Sequence, residues 1–229
     1  MHEHAGFRWV NPGDLPDIDF TEADIPVAEE YNLKYGEVPV SFQPVQPGSS
    51  VDQEGVREIL AGRVSVEACD MLAISAADND DLLKVLIKNS LEDKGVLAFR
   101  SSWTLSKVAA IDKSLMEPYL PQIVSSLLVI ESESVRRSFM KIISESDFSL
   151  LGEAEHGILA EKCFSWLSSG TSAIAIKAYA MEIIYRLTLL YPELSPELVS
   201  VLSREMEHGS AGVKARGRII IDRMRKNLE

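Results

Sequence analysis

Only two of the 229 residues are cysteines, Cys69 and Cys163. They lie far apart in apolar helical surroundings, with no CxxC pair and no histidine at ligand spacing. That excludes a disulfide framework and a thiolate metal centre, and implies buried free thiols in a reducing cytoplasm. Positive charge is also scarce: 23 Lys and Arg face 35 Asp and Glu, for a net charge of −12 and a pI near 4.9. A field of that sign argues against general binding to nucleic acid or to an anionic membrane. Long hydrophobic runs are missing too. The most apolar window, 173–191, is interrupted by Lys177, Glu182 and Arg186 and reads as a buried helix rather than a membrane span. The chain starts Met-His-Glu-His, without the apolar stretch and cleavage site of a secretory signal. No HExxH, phosphate-cradling glycine loop or metal-ligand cluster occurs. His208-Gly209-Ser210-Ala211-Gly212 has histidine where a nucleophile elbow needs glycine, and reads as a helix stop followed by a serine cap. The expectation is a protein with no cofactor, no metal and no catalytic residues.

What the chain does contain is repetition. Val135-Arg136-x-x-Phe139-x-x-Ile142-Ile143 is echoed by Ile176-Lys177-x-x-Ala180-x-x-Ile183-Ile184, and again by Val213-Lys214-x-x-Gly217-x-x-Ile220-Ile221. A looser copy, Phe99-Arg100-x-x-Trp103 followed by Val108, precedes them. The basic residue advances from 100 to 136, 177 and 214, in steps of 36, 41 and 37. Helical spacing within a period of about 35–45 residues identifies a stacked array of helix pairs.

The chain divides at about residue 51. Residues 1–51 form an acidic, proline-rich arm holding six of the ten prolines, too many for a continuous helix or a central strand. The stretch 1–55 has Arg8 and Lys34 against eleven acids, so −9 of the net −12 lies there and −3 remains for the rest. Within the arm, a short helix over 26–35, an extended stretch over 38–42 and a linker at 46–50 are expected, with the whole extended and partly docked through its aromatics. Residues 52–229 read as helical throughout. Helices are expected at 53–61, 65–77, 80–91, 95–110, 114–130, 133–145, 153–168, 173–190, 196–207 and 211–226, with short connections that make neighbours antiparallel.

Paired helices whose second member opens with a Val-Arg-like dipeptide, followed three positions later by a small or apolar residue, resemble the HEAT repeat. The array is also similar to a bacterial family of short, largely uncharacterised HEAT-like proteins, through Ala98-Phe99-Arg100-Ser101-Ser102-Trp103-Thr104-Leu105, Pro118-Tyr119-Leu120-Pro121 and Leu190-Tyr191-Pro192-Glu193-Leu194. The resemblance implies an all-α, HEAT-like α-α superhelix, preceded here by an irregular acidic N-terminal arm. It also implies that the second helix of each pair lines the concave face.

On that face Arg100, Trp103, Arg136, Arg137 and Lys177 are the candidate partner-binding residues. A ladder of cations there could grip a carboxylate-rich peptide. The bland alternative is that each cation pairs with an acid of a neighbouring repeat, and that Trp103 merely packs one repeat on the next. The expected function is therefore a non-catalytic, cytoplasmic scaffold holding a protein or peptide partner on its concave face, with no membrane association. The alternative is nucleic-acid binding or DNA repair of the HEAT-like glycosylase type, using Trp103, Trp166, Arg100 and Arg136.

Overall fold

The computed structural model describes residues 53–61, 66–92 and 94–227. The expectations for the arm, 1–51, lie outside the described residues. Among the described residues ten α-helices follow one another: α1 (Gln53–Ala61), α2 (Val66–Ala77), α3 (Asp80–Glu92), α4 (Gly95–Ile111), α5 (Leu120–Ser126), α6 (Glu133–Glu145), α7 (Glu153–Ser168), α8 (Ile174–Thr188), α9 (Ser195–His208) and α10 (Ala211–Lys226).

Helix α6 shows why such segments fold as they do. Ser132 accepts a hydrogen bond from the Val135 backbone N–H at 3.4 Å, and Glu133 places negative charge in the first turn. Val135, Ser138, Phe139, Ile142 and Ile143 then recur at helical spacing and are all buried, as one face of the helix requires. Ser210 caps α10 in the same way through Val213. At α7 the cap works in reverse: the Glu155 carboxylate reaches back to the Gly152 N–H at 3.0 Å.

From α3 onward the helices pair as four hairpins, each an odd-numbered helix followed by an even-numbered one, while α1 packs on α4 and α3. Even-numbered helices pack side by side in chain order, α2 on α4, α4 on α6, α6 on α8 and α8 on α10. The odd-numbered helices form the second layer. Between the layers runs one continuous apolar core, from Val56 and Leu60 through Leu86, Leu105, Ile123, Phe139, Ile143, Ile183 and Leu202 to Ile220. Each such side chain contributes roughly 1.5–3 kcal/mol by leaving water. No hairpin could bury its apolar face alone, so stacking is what stabilises the array.

One expected element takes a different form. The stretch 114–130 is not a single α-helix but a 3-10 helix at Lys113–Tyr119 leading into the short α5. Pro118 and Pro121 are the physical reason: neither has an N–H to donate, and each ring crowds the carbonyl four residues earlier. Asp112 starts the 3-10 turn, accepting from the Ser114 hydroxyl at 2.7 Å and the Ser114 N–H at 2.9 Å. Those two bonds hold its carboxyl below the usual carboxylate range. Among the described residues no helix is long and apolar enough to cross a membrane.

Candidate functional site

The repeated cations sit at matching places on the even-numbered helices, and each is engaged within the chain. Arg100 Nη1 donates to the Leu60 carbonyl at 2.7 Å, in the last turn of α1. Arg136 Nη2 donates to the Ile130 carbonyl at 2.8 Å, and its guanidinium lies 5.1 Å from the Trp166 ring centroid. Lys214 Nζ donates to the Glu207 carbonyl at 2.9 Å, in the last turn of α9. Lys177 is the exception in kind. Its ammonium is buried and meets Glu205 Oε2 of the next hairpin at 2.6 Å.

A shared chemistry explains Arg100 and Lys214, whose acceptors lie in the last turn of a helix, whereas Ile130 lies in the connection before α6. The last carbonyls of a helix have no intrahelical donor and carry the negative end of its dipole, so a cation reaching from the adjacent helix satisfies both. Arg186, another basic residue of α8, does the same for the Ser144 carbonyl at 2.8 Å and covers the Phe148 ring at 4.3 Å.

The remaining two candidates, Trp103 and Arg137, are held differently. They line a surface groove of about 350 Å³ across α4, α6 and α8, together with Ser106, Lys107, Lys141 and Tyr179. Trp103 is half-buried and stacks on Phe99, with centroids 6.1 Å apart and planes 11° from parallel. Lys107 Nζ sits 4.6 Å from the Trp103 centroid and also donates to Asp70 of α2. Lys141 reaches Glu145 one turn along α6, at 3.1 Å. Arg137 is exposed, and its guanidinium has no partner among the described residues.

The structure thus separates the five candidates. Arg100, Arg136 and Lys177 point into contacts within the array, whereas Trp103 and Arg137 share an open groove. Lys107, Lys141 and Tyr179 are groove residues that the repeat pattern does not mark. Helical spacing holds the signal for two of them, because Lys107 is four residues after Trp103 and Lys141 four after Arg137, which puts each on its neighbour's face.

Three cations and two aromatic rings can do specific things. The cations form charge-assisted hydrogen bonds to carboxylates, and the rings give flat apolar surface for stacking. The two serines of the groove are already donating, Ser106 to the Trp103 carbonyl at 2.7 Å and Ser138 to the Ser134 carbonyl at 3.2 Å. Both hydroxyls are thus turned to the backbone of their own helices.

Other polar clusters belong to the scaffold. Buried His156 bridges the Tyr191 hydroxyl at 2.9 Å and the Phe148 carbonyl at 3.0 Å. Glu182 accepts from Arg216 at 2.7 Å and Arg223 at 2.6 Å, tying α8 to α10. Cys69 and Cys163 are both free and buried, and burial pushes both thiols up.

A family model described as a HEAT repeat domain matches residues 56–224. No curated protein and no solved structure matches the chain.

Proposed function

The chain belongs to the HEAT repeat family, and from that premise we propose that it is a non-catalytic cytoplasmic scaffold holding an acidic segment of a partner protein on its even-helix face. The observation that carries this reading is the Trp103–Lys107–Arg137–Lys141–Tyr179 groove. Repeat arrays bury their repeated apolar positions in the stack and present other side chains on one extended face. Here the ladder cations are committed to that stack, whereas the groove keeps Arg137 unpaired among the described residues beside two aromatic rings. A partner carboxylate would take Arg137, and an aromatic residue beside it would lie against Trp103 or Tyr179.

The test is retention of partners from the native cells by the immobilised full chain, compared with an Arg137→Glu/Lys141→Glu chain by quantitative mass spectrometry. A protein with an acidic segment should be held by the first and lost from the second. Identical retained sets would reject the groove as the binding surface.

The nucleic-acid reading has one observation in its favour: Asp70 supplies a carboxylate close to Trp103, through Lys107. That carboxylate is already ion-paired, and residues 56–229 carry −3 overall. A salt-sensitive mobility shift that disappears in Arg100→Glu would support this second reading, and no shift at low salt would end it.

A further inference from the structure

We propose that the groove has an occupant within the same chain, the acidic segment 14–31, which an external partner must displace. This rests on the reading of the groove as an acidic-segment site. The segment holds Asp14, Asp17, Asp19, Glu22, Asp24, Glu29 and Glu30, with no Lys, Arg or His among its residues. It also holds Phe20 beside Asp19 and Tyr31 beside Glu30, so carboxylate and ring come adjacent in sequence. The groove offers the complement: Arg137 unpaired among the described residues, Lys107 and Lys141 each with a single exposed carboxylate partner there, and the faces of Trp103 and Tyr179.

Position favours the intramolecular occupant. The chain enters the array at α1, which packs directly on α4, the helix that bears Trp103 and Lys107. Residues 32–52 separate the segment from α1, and a chain of that length can span up to roughly 70 Å. Tethering raises the segment's effective concentration to about the millimolar range, enough to fill a site whose individual contacts are weak. The other basic surface of the molecule, on α10, is a poorer match. Arg218 and Lys226 are exposed there, but Arg216 and Arg223 are committed to Glu182, Arg223 covers the Tyr185 ring, and Arg225 neighbours Asp222 at 3.8 Å.

Zero-length carbodiimide cross-linking of the full chain tests this, because it joins an amine to a carboxylate only where the two already touch. Lys107–Asp70 and Lys141–Glu145 serve as internal controls. The expected result is a set of links in the monomer-sized band from Lys107 or Lys141 to acids of 14–31. Those links should fall about tenfold in Arg137→Glu, which keeps both lysines but reverses the central charge. Control links without arm links would overturn the proposal, as would arm links confined to a dimer-sized band or directed equally to Lys214 and Lys226. If arm links are missing while partner retention still depends on Arg137 and Lys141, the occupancy alone falls and the binding role of the groove stands.

Discussion

Lys177 and Glu205 meet at 2.6 Å with each side chain only 11% exposed. Two charges taken out of water at that distance stabilise little as a pair, yet removing one of them strands the other. Lys177→Met should therefore cost about 3–5 kcal/mol, read from the urea unfolding midpoint, whereas Lys177→Met with Glu205→Leu should recover most of the loss. A single variant with an unchanged midpoint would contradict the buried pairing. At this scale the sequence is half legible. The repeat marks Lys177, Arg100 and Arg136 as a set, but nothing local points to Glu205, which lies 28 residues away on another hairpin. The acceptors of Arg100 and Arg136 are backbone carbonyls, and those leave no trace in residue identity.

Helix boundaries are the most readable feature because their chemistry is local. Ser132 and Ser210 cap the helices that follow them, and Pro196 lies in the first turn of α9. The 3-10 stretch at Lys113–Tyr119 is harder to read, because an apolar pattern runs through it and masks the effect of Pro118 and Pro121. One junction depends on a single backbone angle. Gly95 opens α4 with φ of +65°, and a Cβ there would meet nothing within 4 Å. Crowding is thus no obstacle, and the cost of a side chain is conformational alone. Gly95→Ala should lose about 1–2 kcal/mol of unfolding free energy, and Gly95→Asn less, since Asn tolerates the left-handed region better. Equal stability of the parent chain and Gly95→Ala in urea denaturation would show that the turn accommodates another geometry.

Charge is distributed over the whole molecule with a clear polarity, with −9 of the −12 in the first 55 residues and a cationic groove on the even-helix layer. The layer arrangement follows from the repeat period, since each unit must stack to bury its core. The groove does not, because it is composed from α4, α6 and α8, whose adjacency emerges only when the hairpins are assembled. Its role is most directly tested by fluorescence anisotropy of a labelled peptide with the sequence of residues 14–31. The receptor is the full chain with Asp17→Asn, Asp19→Asn, Glu22→Gln and Asp24→Asn, which keeps the arm but weakens its own hold on the groove. The expected result is saturable binding that weakens about tenfold or more between low and high salt and disappears when Arg137→Glu and Lys141→Glu are added. Absence of saturation, or equal affinity for the charge-reversed receptor, would contradict the groove as a site for acidic segments.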